Sequence, residues 1–367
     1  MENPLKRWQP DYVLLLLAAV FLAAAVAVAA LRPHTYVEER ETLPCARGIN
    51  WHHLPVREYQ HCALPIYFIK LSGLIFGTSN LGFRMVNIFA GLGSILAIYA
   101  LGLRWRGRTT ARLAAALLVL DWYHLYCSTI ATELAFDLLF VSLAMAAFAR
   151  FLEVERPAWL YAAAAATGLA FLTKEINALL VGVYFLSLLF SSRRRWLLGF
   201  EPWLALGVFV LVISPDLLHN LMNTPEGRPP TYANYLDHLS RCGGIGWNEY
   251  PLLFYFGAVP MWLGIANYDY VLSPSAAAIF LLGAGLAVRF GGSDPTKRFL
   301  LLMFWTVFLF FSLILPHEPV RAEVHLDPVS IYWVDRTVLP GALLAAMLIA
   351  GLASGKKEFL IFANGKT

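Results

Sequence analysis

A chain of 367 residues that is 59% hydrophobic and 14% charged, with mean hydropathy +0.61, cannot hide its apolar surface in a soluble core. That composition places it in a bilayer. Its 28 Lys+Arg against 24 Asp+Glu are too balanced for a nucleic-acid binder, and four cysteines exclude a disulfide scaffold.

Crossing the hydrocarbon core takes about 20 mostly apolar residues in a helix. Residues 12–31 supply such a run, with Lys6 and Arg7 ahead of it and Arg32-Pro33 at its end. Ala27-Val28-Ala29-Ala30 is like a leader-peptide cleavage site, but the run's length and the spans that follow favour an uncleaved anchor. Runs at 85–103, 111–124, 132–151, 158–173, 176–190, 200–219, 272–290, 299–315 and 337–352 predict nine further crossings. Residues 65–76 are too few to span, and 252–266 hold Pro260 among aromatic rings; both read as interfacial helices. The expected fold is all-α: a single polytopic membrane domain, 1–367, of about ten transmembrane helices plus two interfacial ones.

Charge supports that layout. Arg104, Arg106, Arg108 and Arg112, then Arg193–Arg195, then Arg289, Lys297 and Arg298, then Lys356-Lys357 all fall on the side of Lys6 and Arg7. By the positive-inside rule that side is cytoplasmic, with both termini on it, in a plasma (inner) membrane. It holds 17 Lys+Arg and 7 acids, whereas the other face holds 11 and 17. The outer face carries the long segments 32–84, 220–271 and 316–336, all nine His and all four Cys. Interfacial segments favour His and Cys on their own account. The alternative is an oxidising compartment, with Cys45–Cys62 or Cys127–Cys242 bridged.

Ionisable groups near spans are costly and therefore informative. Asp121, His124, Glu133, Asp137, Lys174, Glu175, Asp216 and His219 all map to outer span ends, as around a cavity open to that face. Singly, each reads equally well as a snorkelling helix end. The first outer loop opens with Tyr36-Val37-Glu38-Glu39-Arg40-Glu41, whose adjacent carboxylates suit a general base or a solvated boundary. His61 and Tyr67 follow, within a stretch rich in aromatic and polar groups of the kind that line carbohydrate sites. His52, His53 and His61 form no recognised metal motif, so no metal ligand is assigned, while a divalent cation stays admissible. Lys174-Glu175 occupies a tight outer turn. Its ammonium suits a phosphate, or an ion pair with Glu175 or Asp216. Arg84 and Arg336 are outer cations whose planar forks suit a phosphate or a lipid headgroup.

In this order, the residues resemble the GT-C membrane glycosyltransferases of the protein-mannosyltransferase and aminoarabinose-transferase type. Tyr36-Val37-Glu38-Glu39 is similar to the family's Tyr-x-Asp-Glu signature after the first span. His61-Cys62-Ala63-Leu64-Pro65-Ile66-Tyr67, then Ile75-Phe76-Gly77, resembles its His-Pro-Pro-Leu-Tyr element and the short helix ending Phe-Gly. Arg84 matches the Arg that opens the next span. Gly168 to Lys174 resembles a Gly-Leu-Ala-x-Leu-Thr-Lys turn, and Arg336 to Pro340 a late Arg-Tyr-Leu-Leu-Pro element. The chain departs in three places: Glu38 stands for the usual Asp, the His-Pro-Pro element keeps one Pro, and Cys127-Ser128-Thr129 replaces an Arg.

The resemblance implies an inverting transferase that takes a sugar from a polyprenyl-phosphate donor to an acceptor on the outer, periplasmic or extracellular, face. Glu38 or Glu39 would be the base, and Arg84, Lys174 and Arg336 would hold donor phosphate. His61, Tyr67, Glu133, Asp137 and Glu175 would support them. The expected partners are that donor, a lipid, glycan or protein acceptor, and membrane lipids. A lipid-linked-sugar flippase, which predicts internal repeats and broken midplane helices, and a non-catalytic membrane relative are the alternatives.

Overall fold

A computed structural model describes residues 11–31, 39–49, 63–222 and 295–309. Every regular element among them is helical. In chain order they are α1 (Tyr12–Leu31), α2 (Glu39–Gly48), α3 (Leu64–Phe76), α4 (Asn80–Arg106), α5 (Arg108–Leu120) and α6 (Trp122–Thr129). Then come α7 (Leu134–Val154), α8 (Pro157–Phe171), α9 (Leu179–Leu189), α10 (Glu201–Met222) and α11 (Pro295–Leu309). Among the described residues α1, α4, α7 and α10 are long and apolar enough to cross a membrane, and the chain is an integral membrane protein. The spans expected at 272–290 and 337–352, and the interfacial helix at 252–266, lie outside the described residues.

Local chemistry sets the helix boundaries. Ser79 caps α4, its hydroxyl accepting from the Gly82 N–H at 3.1 Å. Gly107, at φ 85°, then separates α4 from α5 in a conformation that glycine takes without strain. The run expected as one span at 111–124 is broken instead. Asp121 adopts an extended backbone and its carboxylate accepts from the His124 N–H at 3.3 Å, ending α5 and starting α6. The run at 176–190 likewise opens with a short 3-10 turn, Glu175–Ala178, before α9 begins. Pro215 lies inside α10, where it cannot donate to the Leu211 carbonyl four residues back; the Ser214 hydroxyl takes that carbonyl at 2.8 Å.

α4 and α7 form the centre. α4 packs against α1, α3, α5, α6 and α7; α8 joins α7 to α10, and α11 lies on α7 and α9. Small residues permit the close approaches. A Cβ on Gly168 would stand 2.8 Å from Val212 Cβ, so α8 and α10 touch backbone to side chain. α1 and α10 are mostly exposed along their lengths, as lipid-facing helices are.

Charge marks the two ends of the bundle. At one, Asp11 receives Arg112 Nε at 3.0 Å and the Tyr99 hydroxyl at 2.5 Å, tying the start of α1 to α4 and α5. Arg104 lies over the Trp159 ring at 5.8 Å, and Glu155 pairs with Arg193 and Arg195 at 3.2 and 2.7 Å. This is the Arg-rich end. The opposite end holds Glu39, Glu133, Asp137 and Glu175 with Lys174 and Arg84.

Candidate active site

Six charged side chains at the end opposite the arginine cluster are almost wholly removed from solvent: Glu39, Arg84 and Asp137 at 0%, Glu133 at 2%, Lys174 at 3% and Glu175 at 5% exposure. Burying a charge is costly unless it is paired and hydrogen-bonded, so such a layer has to be organised.

One half of it is built by α2, α4 and the 130–133 bend. Glu39, the first residue of α2, meets Arg84 in a two-point pair: Arg84 Nε to Oε1 at 2.7 Å and Nη2 to Oε2 at 2.6 Å. Oε1 also accepts the Ala131 N–H at 2.7 Å, and Arg84 Nη1 donates to the Ala29 carbonyl at 3.1 Å. One ion pair thereby links the end of α1, the amphipathic α2, the N-terminal end of α4 and the bend before α7. The Thr42 hydroxyl donates to the Ala131 carbonyl at 2.5 Å, and Asn87 Nδ2 to that of Thr132 at 2.6 Å. Asn87 lies three residues after Arg84, on the same face of α4. Together they fix the bend that presents Glu133.

The other half is built by α7 and the turn after α8. Asp137, one helical turn beyond Glu133, accepts from the Thr173 hydroxyl at 3.2 Å and from Asn177 Nδ2. Asn177 Nδ2 also reaches the Ala170 carbonyl at 2.8 Å, and the Asn177 N–H that of Lys174 at 3.0 Å. These bonds clamp the turn from both sides, so Lys174 and Glu175 project from a rigid element. Tyr67, half-buried on α3, lies within the field of Asp216 on α10. Burial, aided by that carboxylate, holds its phenol above the ordinary value.

Of the residues singled out from sequence, the structure brings Glu39 and Arg84 into direct contact, although the sequence reading gave them separate roles. Glu133 and Asp137 stand on one face of α7, and Asp137 anchors the turn of Lys174 and Glu175. Glu38, His61 and Arg336 lie outside the described residues, as do Cys62 and Cys242, one partner of each expected bridge. Among the described residues no group of three or more His, Cys, Asp or Glu could hold a metal ion. Thr42, Asn87 and Asn177 went unnoticed in the sequence, and Thr173 was read only as part of the Gly168–Lys174 motif. They are neutral, and their only signal was proximity: Asn87 follows Arg84, and Thr173 and Asn177 flank Lys174-Glu175.

The resemblance to the GT-C glycosyltransferases read from the sequence is borne out by comparison with known proteins. Residues 60–219 match the family model described as dolichyl-phosphate-mannose-protein mannosyltransferase. The fold is similar to that of ArnT from Cupriavidus metallidurans bound to undecaprenyl phosphate, with TM-score 0.67 and 17% identity over 92% of this chain and 60% of that one. It is also similar to the archaeal oligosaccharyltransferase AglB from Archaeoglobus fulgidus, in complex with an inhibitory peptide and a dolichol-phosphate. There the TM-score is 0.60, with 14% identity over 100% of this chain and 53% of that one. This chain thus spans about 60% of the length of ArnT. No curated protein matches the sequence.

Proposed function

We propose that this protein is a membrane glycosyltransferase that moves a sugar from a polyprenyl-phosphate donor to an acceptor at the outer face of a plasma membrane, its termini in the cytoplasm. The observation that carries this reading is the Lys174 turn: a buried cation on a turn braced by Asp137, Thr173 and Asn177, beside acidic side chains at one end of a GT-C-like bundle. A fixed cation there suits the charge that develops on a departing phosphate. The lipids bound to ArnT and AglB, undecaprenyl phosphate and dolichol-phosphate, are of the same chemical class.

In the proposed reaction an acceptor hydroxyl gives its proton to a carboxylate and its oxygen attacks the anomeric carbon. The bond from that carbon to the phosphate oxygen breaks on the opposite side, so the configuration inverts and polyprenyl monophosphate leaves. Both oxygens of Glu39 already accept Arg84, and one accepts Ala131 as well. Glu39 is therefore assigned to holding α2 in place, and Glu38, one residue earlier, to the base. Lys174 and Arg336 are assigned to the phosphate, and Arg84 to the Glu39 pair. Tyr67 and His61 are assigned to the sugar or acceptor side.

The test uses the purified full chain and a radiolabelled polyprenyl-phosphate sugar with membrane extract as acceptor source. Label should move to acceptor, and Glu38→Gln should abolish transfer without lowering the melting temperature. Full turnover by Glu38→Gln would overturn the assignment of the base. Donor bound without any turnover would overturn the transferase reading.

A further inference from the structure

At the inner end, on the far side of the bundle from the charged layer, α8, α9, α10 and the 3-10 turn Arg194–Leu198 enclose a cavity of about 210 Å³. Of its thirteen lining residues only Thr167, Tyr184 and Trp203 carry a polar side-chain atom. The Thr167 and Tyr184 hydroxyls meet each other at 3.1 Å, which leaves the floor dry and apolar. Phe185, Trp203 and Leu206 line it and are also exposed on the outside of the bundle, so the cavity opens sideways towards lipid.

Its cytoplasmic rim is basic. Leu197 lines the cavity from the same short turn that carries Arg194 and Arg195. The charged groups that flank these elements in the chain are Arg150, Arg156, Arg193, Arg194 and Arg195 against Glu153, Glu155 and Glu201. Glu153 is matched to Arg150 at 2.7 Å, and Glu155 is shared between Arg193 and Arg195. Arg194 is exposed and Arg195 is 77% exposed. Trp203, at the first turn of α10, stands where amphipathic rings anchor at a membrane interface.

We infer that this cavity is a binding site for an anionic phospholipid of the inner leaflet, with one acyl chain lodged between α8, α9 and α10 and the phosphate on Arg194 and Arg195. Two features select that occupant. An apolar slot that opens on the exposed face of the bundle suits a hydrocarbon chain, and the excess of guanidinium beside it suits a negative head. A zwitterionic lipid would fill the slot equally but gain nothing from the rim.

The test measures retained lipid by native mass spectrometry on the full chain, using phosphatidylglycerol and phosphatidylcholine of identical acyl chains. The protein should keep one phosphatidylglycerol in preference to phosphatidylcholine. Arg194→Ala and Arg195→Ala should each weaken that preference about fivefold. Ala164→Phe, which fills the cavity, should remove both lipids. Because a filled cavity can also disturb folding, photo-crosslinking of the unaltered protein by a phosphatidylglycerol carrying a diazirine on its acyl chain provides a second reading. Adducts on the peptides holding Phe185, Trp203 or Leu206 support the site. Equal retention of the two lipids would overturn it. So would adducts confined to the outer half, or crosslinks within the protein showing residues 223–294 or 310–367 seated in the cavity.

Discussion

Glu39 and Arg84 meet through two parallel hydrogen bonds, 2.7 and 2.6 Å long, with neither side chain exposed. Removing one partner of such a buried pair strands the other charge, which costs about 3–5 kcal/mol. Arg84→Met should therefore lower the melting temperature sharply in detergent, and Glu39→Leu should do the same. The double variant should recover much of the loss, because no unpaired charge remains. Additive losses in a thermal-melt double-mutant cycle would contradict the pair. Transfer should fall in both single variants along with the amount of folded protein, unlike Glu38→Gln, which keeps its fold.

The second anchor is neutral. Asn177→Ala removes a donor from buried Asp137 and from the Ala170 carbonyl, at a cost of about 1–3 kcal/mol. The loosened turn should also raise the KM for a polyprenyl-phosphate donor more than it lowers kcat, since Lys174 is displaced rather than lost. Lys174→Met should weaken donor binding and, because Lys174 is buried among acidic side chains, lower the melting temperature as well. Binding of polyprenyl monophosphate followed by fluorescence quenching separates the two variants from the unaltered protein.

The bundle was legible in the sequence because hydropathy and charge asymmetry report burial in lipid directly. α1, α4, α7 and α10 all start within about five residues of their expected positions. The α5–α6 break was not, since residues 113–120 are continuously apolar up to Asp121, and only a cap in three dimensions shows that the chain turns there. The site was half legible. Its ionisable residues stood out against an apolar background, but Glu39 and Arg84 are 45 positions apart and nothing in the sequence measures their distance. Asn87 and Asn177 were invisible for a different reason. A neutral amide in a membrane helix carries weak signal until the carbonyl or carboxylate it meets is known.

Helix approach at Gly168 offers a test of packing away from the charged layer. A leucine there would drive into Val212, where even a Cβ would come within 2.8 Å. Overpacking of this kind costs about 1–3 kcal/mol. Gly168→Leu should lower the melting temperature, and a compensating Val212→Ala should restore part of it. A melt unchanged in Gly168→Leu would mean that α8 and α10 are not in contact.

The Asp11 clamp gives a pH dependence with a defined sign. The Arg112 guanidinium hydrogen-bonded to Asp11, helped by the Tyr99 hydroxyl, pulls that carboxyl from 3.8 down to about 2. A carboxylate whose folded value is depressed stabilises the fold above its unfolded value and loses that contribution as pH falls through the folded one. Asp11 should thus hold α1 against α4 and α5 fully at pH 7 and release it between about pH 4 and 2. Asp11→Asn should melt earlier than the unaltered protein at neutral pH. The gap between the two should close as the buffer is taken from pH 4 to pH 2, because protonated Asp11 and asparagine are then both uncharged partners of Arg112. A gap that persists undiminished at pH 2 would show that the clamp owes its strength to shape rather than charge.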